Sequence, residues 1–306
     1  MLLTTLFFLA AEPAISWVAL DGGCYTMGTE QGYPEEQPPR DVCVSAFEIS
    51  KTEITNAQFT AFIDATGYVT TAEKSWPTPD GRGGVIQVPA GSAVFAPPSK
   101  PRFGELDWWR FVEGANWRKP RGPDVRYEVK PEEPVVHVTV ADALAYASWA
   151  GGDLPTEEEW EYAARAGKLL DDAEKKAMAD QANTWQGLFP VLNTKKDGFE
   201  GVAPVASFPA NGFGLHDMLG NVWELTSSPY TASHSDADRE AAGTDGFDPT
   251  QPGMPVVAIR GGSYLCAQNY CARYRPTARQ GQDRQLSTSH IGFRIVRRGE
   301  TVEAVE

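Results

Sequence analysis

Two segments near the start of the chain have the hydrophobic pattern of β-strands. Residues 22–29 (GGCYTMGT) and 42–50 (VCVSAFEIS) alternate or cluster β-forming side chains on either side of a turn rich in Pro and Glu. Cys24 lies in the first segment and Cys43 in the second. If the two strands pair, these cysteines can form a disulfide, and two buried free thiols are the alternative.

Three capping boxes further along the chain predict helices. In a capping box the first side chain accepts a hydrogen bond from an unpaired amide of the first turn, and the side chain three residues later reaches back. The boxes join Thr55 with Gln58, Thr139 with Asp142, and Thr156 with Glu159. The first and third segments each carry one apolar stripe, which indicates helices that pack a single face against a core.

Residues 75–134 show little periodicity and contain many Pro, Gly and Trp residues. Such a segment is typical of a linker. The stretch 108–117 (WWRFVEGANW) is nevertheless too apolar to stand in solvent, so we expect an ordered loop that packs on the domain. Because no internal repeat and no separating linker is visible, the pattern predicts one loop-rich domain.

The charge of the chain argues against nucleic acid as a partner. The 306 residues include 41 Asp and Glu against 27 Lys and Arg, and the net charge of -14 would repel a phosphate backbone. The 29 Gly, 23 Pro and 9 Trp residues favour a fold in which large aromatic side chains hold together segments with little regular structure.

A short apolar run, residues 2–11 (LLTTLFFLAA), opens the chain and ends in small residues. It is too short to span a bilayer, and no other segment approaches the roughly 18 apolar residues that a membrane helix needs. We interpret residues 1–11 as a signal peptide, which predicts a secreted or periplasmic protein. The run lacks a preceding Lys or Arg, so a buried first strand in a cytoplasmic protein is the alternative.

The segment 260–275 (RGGSYLCAQNYCARYR) carries two cysteines, Cys266 and Cys271, five residues apart. On a helix this spacing separates two side chains by about 140°, and on a strand it puts them on opposite faces. The two thiols can therefore meet only across a bend or an irregular loop. Two sulfurs are too few for a structural zinc site, whereas they suit a soft ion of low coordination number such as Cu(I).

The sequence resembles the formylglycine-generating enzymes, the sulfatase-modifying factor family, over residues 22–297. Similar stretches include GANWRKPRGPD (114–124), PVVHVTVADALAYASWAGGDLPTEEEWEYAARAG (134–167), ANTWQGLFP (182–190), DGFEGVAPVASFPANGFGLHDMLGNVWE (197–224) and IGFR (291–294). The paired cysteines are the specific part, because WAGG-x-LPTEEEWE also occurs in relatives with other functions. The resemblance implies a single α+β domain with little regular secondary structure, distantly similar to C-type lectins, and it leaves residues 298–306 as an acidic tail.

The resemblance also implies an activity, the oxidation of a cysteine to Cα-formylglycine with Cu(I) and molecular oxygen. The substrate would be an unfolded or nascent protein, such as a sulfatase, that carries a Cys-x-Pro-x-Arg motif. Cys266 and Cys271 match the copper ligands, Ser263 and Trp223 would border the oxygen pocket, and Tyr270 would lie beside the copper. For Trp223 and Tyr270 a plain place in the core is the alternative. We expect a monomer.

Polar positions in two further segments match structural Ca²⁺ sites of the same family, in which carboxylates and carbonyl oxygens bind a hard cation. The first set is Asn183, Thr184, Asp197 and Phe199, with Thr184 and Phe199 acting through backbone carbonyls. The second set is Asp217, Gly220, Val222 and Glu224. Asn is common at the position of Asp217, so an extra negative charge is expected to tighten Ca²⁺ binding here.

The sequence departs from the family in two places. Pro276 stands where some eukaryotic relatives have a disulfide cysteine, and His290 stands where Asn is common, which bears on substrate preference.

Three other interpretations of the sequence compete with this one. A non-catalytic binding module of the same fold is one alternative, although such modules usually lack the second cysteine. An iron-dependent sulfoxide synthase is another, but the four histidines show no metal-ligand spacing. An inert disulfide between the two active-site cysteines is the third.

Overall fold

The computed structural model of the protein describes residues 14–79, 83–97, 108–166 and 180–299. The expected signal peptide at residues 1–11 lies outside these ranges, as do residues 300–306 of the expected acidic tail. Within the described ranges, no helix is both long enough and apolar enough to cross a membrane.

The described residues form an α+β arrangement of short elements joined by long loops. The helices are α1 (Asn56–Thr66), α2 (Val140–Trp149), α3 (Glu157–Ala164) and α4 (Asp236–Ala242), with 3-10 helices at Pro34–Glu36 and Thr71–Glu73. The strands are β1 (Trp17–Leu20), β2 (Gly23–Met27), β3 (Arg40–Val44), β4 (Phe47–Ser50), β5 (Trp76–Pro79), β6 (Val85–Val88), β7 (Gly91–Phe95), β8 (Trp109–Glu113), β9 (Gly187–Leu188), β10 (Leu192–Asn193), β11 (Trp223–Pro229), β12 (Val256–Arg260), β13 (Arg279–Asp283), β14 (Ile291–Gly292) and β15 (Val296–Arg298).

The three predicted capping boxes begin α1, α2 and α3. Thr55, Thr139 and Thr156 are the N-cap residues, and the side chain of each accepts a hydrogen bond from the amide three residues later. Helix α1 is capped after Thr66 by Gly67, whose φ of 67° lies in the left-handed region that glycine adopts without strain. All three helix predictions are confirmed.

The first predicted strand is confirmed, whereas the second predicted segment is divided between two sheets. Strand β2 pairs antiparallel with β3, Cys24 lies opposite Cys43, and a disulfide joins the two. The chain then breaks at residues 45–46, and β4 pairs with β1 and β15 instead. Both Val42 and Phe47 are buried, so one continuous run of β-forming residues supplies the inner faces of two different sheets.

The stretch 108–117 packs on the domain as expected, but part of it is a strand rather than a loop. Strand β8 pairs antiparallel with β7 over five residues, and Trp108 and Trp117 on either side of it are buried. In this two-stranded ribbon most β8 side chains are partly or fully exposed, so the sequence lacks the alternation of a half-buried strand. Backbone hydrogen bonds to β7 hold it instead.

A four-stranded sheet in the order β13-β12-β11-β14 positions the candidate site. Its strands are antiparallel except for the β11 and β14 pair, which is parallel. Every residue of β12 is buried. The core cluster around this sheet includes Phe59 and Tyr146 from α1 and α2, Trp223 from β11 and Ile259 from β12, and it extends into the loop that follows β12.

We predict that replacing both cysteines of the Cys24–Cys43 disulfide by serine lowers the free energy of unfolding by about 3 kcal/mol. The disulfide closes a loop of 19 residues in sequence separation, which restricts the unfolded chain. Denaturant unfolding of the wild-type and doubly substituted proteins measures the difference. A loss below about 1 kcal/mol would contradict a stabilising role for this disulfide.

Candidate active site

The two cysteines of the 260–275 segment lie in an irregular loop that leaves the end of β12. Gly261 and Gly262 follow the strand with φ angles of 91° and 79°. A Cβ atom at Gly262 would lie 2.8 Å from the carbonyl oxygen of Arg273, so the loop folds back on itself where only glycine fits. The expectation that the cysteines require an irregular loop is confirmed.

Two successive tight turns bring the thiols together. The amide of Cys266 donates to the Ser263 carbonyl at 2.8 Å, and the amide of Cys271 donates to the Ala267 carbonyl at 3.0 Å. The two sulfur atoms are 2.8 Å apart, which is longer than the roughly 2.05 Å of a disulfide bond, and both cysteines are free. The structure therefore holds a pair of buried, adjacent thiols.

The surroundings move the pKa values of the two thiols in opposite directions. A hydrogen bond from Cys266 lowers the pKa of Cys271 to about 7, and the guanidinium of Arg273 contributes to the shift. Burial, together with the donated hydrogen bond, raises the pKa of Cys266 well above its usual range. The pair thus holds one thiolate near neutral pH, stabilised by its protonated neighbour.

The thiols border a cavity of about 760 Å³ that also contains the other predicted active-site residues, Ser263, Trp223 and Tyr270. Tyr270 is 44% exposed and stacks on Phe189 with ring centroids 4.3 Å apart, so it forms part of the cavity wall rather than the core. Trp223 is buried in the core cluster and also lines the cavity. The structure brings all five predicted residues together, and their chemical roles stay predictions.

His290 lines the same cavity and is held there by two neighbours. Its Nδ1 lies 2.7 Å from the hydroxyl oxygen of Thr288, and its ring centroid lies 4.7 Å from that of Trp109. Burial lowers the pKa of His290 to about 3, so the imidazole is neutral at physiological pH. This histidine can exchange hydrogen bonds with a bound molecule without adding a positive charge.

The first predicted Ca²⁺ set is assembled around one carboxylate. The Asp197 side chain accepts hydrogen bonds from the amides of Thr184, at 3.2 Å, and Phe199, at 3.1 Å, and burial raises its pKa. Asn183 is buried, and its side-chain amide donates to the Gly201 carbonyl at 2.9 Å. The four residues lie close together, but the two amide donors already occupy part of the hydrogen-bonding and coordinating capacity of the Asp197 carboxylate.

The second predicted set adjoins a buried cluster of carboxylates. Arg294 pairs with Glu224 through two hydrogen bonds, of 2.6 and 2.7 Å. Fully buried Glu53 lies in the same cluster, and burial, with Asp217 and Glu224 nearby, raises its pKa well above the usual range. One oxygen of Glu53 accepts from Asn221, whereas its Oε2 is buried and has no hydrogen-bond partner.

The side chains of this buried cluster do not balance its negative charge or pair all of its oxygen atoms. Three buried carboxylates, Glu53, Asp217 and Glu224, surround a single guanidinium, and one of their oxygens lacks a partner. No three His, Cys, Asp or Glu side chains converge as a metal site within the described ranges, so backbone carbonyls such as those of Gly220 and Val222 would have to complete the coordination. Sequence analysis missed Glu53, because it lies far from the second set in the chain and carries no motif of its own.

Comparison with known proteins identifies the family. The sequence matches the domain described as sulfatase-modifying factor enzyme 1-like over residues 7–299. The chain belongs to this family. It is 44% identical to a formylglycine-generating enzyme of Mycobacterium tuberculosis, with 91% of this chain and 96% of the relative covered. It is 40% identical to a formylglycine-generating enzyme of Bos taurus, with 92% and 75% covered.

Two further relatives show that membership in the sulfatase-modifying factor family establishes the fold but does not by itself establish the activity. PvdO from Pseudomonas aeruginosa superposes with a TM-score of 0.60 at 27% identity over 92% of this chain and 94% of that protein, which confirms the predicted fold class. A Bos taurus relative named an inactive Cα-formylglycine-generating enzyme 2 is 36% identical over 92% of this chain and 87% of its own length. Because the family includes a protein with that name, the activity must be argued from the site.

We predict that iodoacetamide modifies Cys271 of the metal-free protein with a midpoint near pH 7, because only the thiolate reacts and its pKa is lowered to about 7. Reactivity rises as the pH rises through this value. Cys266 should react far less over the same range, since burial raises its pKa. Mass spectrometry of the alkylated peptides measures both sites, and the disulfide-bonded Cys24 and Cys43 provide an unreactive control. Equal reactivity of the two thiols would contradict the assignment.

Proposed function

We propose that the protein is an oxygen-dependent oxidoreductase that converts a cysteine of a protein substrate into Cα-formylglycine. The observation that carries the proposal is the pair of free thiols, with sulfurs 2.8 Å apart, at the wall of a cavity in a member of this family. A non-catalytic binding module has no need for two adjacent thiols. The family relatives named for this activity support the same reaction.

Cys266 and Cys271 would hold a Cu(I) ion, because this soft ion prefers sulfur ligands to the oxygen and nitrogen atoms that line the rest of the cavity. When bound, the copper would supply the activation of molecular oxygen, which amino-acid side chains do not perform by themselves. The protein contributes a shaped environment, because both cysteines are buried and pack in a cluster of hydrophobic residues. Ionisation of Cys271 near neutral pH favours the metal, since a thiol must lose its proton to bind, whereas Cys266, whose pKa is raised, would lose its proton only on binding.

The aromatic wall would orient the substrate. Trp108, Phe189 and Tyr270 contact one another in edge-on and stacked pairs, with ring centroids 4.3 to 5.3 Å apart. Such a rigid apolar surface suits the proline of an extended Cys-x-Pro-x-Arg segment. Holding that segment so that one Cβ hydrogen of its cysteine faces the oxidant is a problem of positioning, and a preformed wall solves it. The neutral imidazole of His290 offers a hydrogen-bond partner beside the peptide.

Calcium would stabilise the fold without entering the chemistry. We assign the stronger of the two proposed sites to Asp217, Gly220, Val222 and Glu224, together with Glu53, whose unpartnered oxygen lies in the same buried cluster. A divalent cation there offsets the excess negative charge that the single Arg294 leaves. The Asn183, Thr184, Asp197 and Phe199 set is the second proposed site.

Export from the cytoplasm is part of the proposal. A disulfide such as Cys24–Cys43 persists in oxidising compartments and is rare in the cytosol. Together with the apolar run at residues 2–11, it favours a secreted or periplasmic protein that meets its substrate while the substrate is unfolded.

The test is mass spectrometry of a synthetic Cys-x-Pro-x-Arg peptide incubated with the protein, Cu(I) and oxygen. Formylglycine appears as a defined loss of mass at the cysteine. We predict that Cys266→Ser and Cys271→Ser each abolish copper binding and turnover, because a hydroxyl is a poor ligand for a soft ion. Circular dichroism and melting temperature control for folding. Near-native turnover by either variant would rule out the copper dithiolate.

Copper titration separates this function from that of a non-catalytic binding module of the same fold. The wild-type protein should take up one Cu(I) per chain and convert the peptide. A protein that binds the peptide but neither binds copper nor converts the peptide would be the binding module, and both cysteine variants would then behave like the wild type.

We predict that removing calcium with a chelator lowers the melting temperature by roughly 5 °C, since a ligand that binds only the native state stabilises it. The variant Glu53→Gln should lose more than half of this shift. In chelator it should melt at or above the wild type, because the buried like charges that raise the Glu53 pKa are relieved. Glu73→Gln, which alters a half-exposed ion pair with Arg118, is the control and should keep the full shift. An unchanged calcium response of Glu53→Gln would remove Glu53 from the site.

A further inference from the structure

An acidic segment from the start of the chain contacts an arginine side chain just after the second active-site cysteine. Glu35 accepts two hydrogen bonds from Arg273 on one oxygen, from Nε at 3.0 Å and from Nη2 at 2.6 Å. The same guanidinium lies 4.2 Å from the ring centroid of Tyr33. Arg273 is two residues beyond Cys271, whereas Glu35 is 238 residues before Arg273 in the chain. We call Tyr33, Glu35 and Glu36 the acidic clamp.

The rest of the acidic clamp is hydrogen-bonded to residues 275–279, which follow Arg273 in the chain. Glu36 is fully buried and pairs with Arg275, and the hydroxyl of Thr277 donates to it at 2.6 Å. The backbone carbonyl of Glu35 accepts from Arg279 at 2.9 Å. Because Glu36 fixes the segment independently, Glu35 presents its carboxylate to Arg273 from a rigid support.

The chain is held less on the C-terminal side of Cys271 than around Cys266. Cys266 is tied on both sides, since its amide donates to Ser263 and its carbonyl accepts from the amide of Trp185 at 2.9 Å. On its N-terminal side Cys271 is held by the turn to Ala267 and by Tyr270, whose ring packs on Phe189 and Trp108. Residues 272–274 on its C-terminal side belong to no strand or helix. The first anchors on that side are the Ala272 carbonyl, which accepts from Arg275, and the pairing of Arg273 with Glu35.

We propose that Glu35 is a positioning residue, which holds Arg273 and so keeps Cys271 beside Cys266. The proposal rests on the proposed function, because a metal shared by both sulfurs is what gives their separation a role. Glu35 and Arg273 are 12% and 24% exposed, and both residues line the cysteine cavity. An ion pair this far from solvent is screened less than a surface pair, and losing one partner leaves the other charge without compensation.

The experiment compares Glu35→Gln with the wild type and with Asp153→Asn. The control removes one partner of the Asp153–Arg298 ion pair, which is 2.7 Å long, partly exposed and outside the cysteine cavity. Two properties are measured in each protein. The first is the rate of iodoacetamide modification of Cys271 relative to Cys266 in metal-free protein. The second is the dissociation constant for Cu(I), by competition with a chromophoric chelator, with the melting temperature recorded alongside.

With Glu35→Gln we expect the relative modification rate of Cys271 to rise at least about threefold, because the loop beyond it opens locally. We expect the Cu(I) dissociation constant to rise about tenfold. Asp153→Asn should change neither. A rate change below about threefold, or an equal change in Asp153→Asn, would make Glu35 a merely structural residue. If the wild type binds no Cu(I), the proposed function fails, yet the modification rates still decide whether Glu35 positions Cys271.

Discussion

The guanidinium of Arg260 is the interaction on which the candidate site depends. It is fully buried at the end of β12, where it donates to Glu157 at 3.0 Å and also pairs with Glu161, both from α3. It donates as well to the Pro276 carbonyl at 2.8 Å, which closes the loop that contains both cysteines. A buried charge must keep its partners, so α3, the central sheet and the two ends of this loop cannot separate without a large loss of stability. The irregular loop is rigid because its two ends are fixed to these elements.

A loop closed in this way allows chemistry that regular structure would not. Two side chains five residues apart diverge on a helix or a strand, and here two turns reverse the chain so that the sulfurs meet. Their proximity splits the pKa values, because the thiolate of Cys271 is stabilised by the proton that Cys266 retains. The cavity wall therefore carries a single thiolate, where two adjacent thiolates would repel each other. The fold thus brings two thiols together and lets one of them ionise near neutral pH.

Local signals predicted much of the molecule, and long-range contacts account for what they missed. Capping boxes predicted α1, α2 and α3, and the cysteine spacing predicted an irregular loop, because both depend on residues close in sequence. The division of residues 42–50 between two sheets was missed, since the partners β1 and β15 lie at opposite ends of the chain. Glu53 and Glu35 were missed for the same reason. Each acts on residues more than 160 positions away, and nothing in its neighbourhood marks it.

The buried carboxylate cluster and the cysteine cavity lie on opposite faces of strand β11. Trp223, which lines the cavity, is the first residue of β11, and Glu224 follows it into the carboxylate cluster. Glu224 is fixed by Arg294 and by the indole N–H of Trp160, which donates to it at 2.7 Å. Because successive side chains of a strand point to opposite faces, whatever fixes Glu224 on one face fixes the Trp223 ring on the other. Any group that pairs the unpartnered oxygen of Glu53 would therefore also stabilise the part of the cavity wall that Trp223 forms.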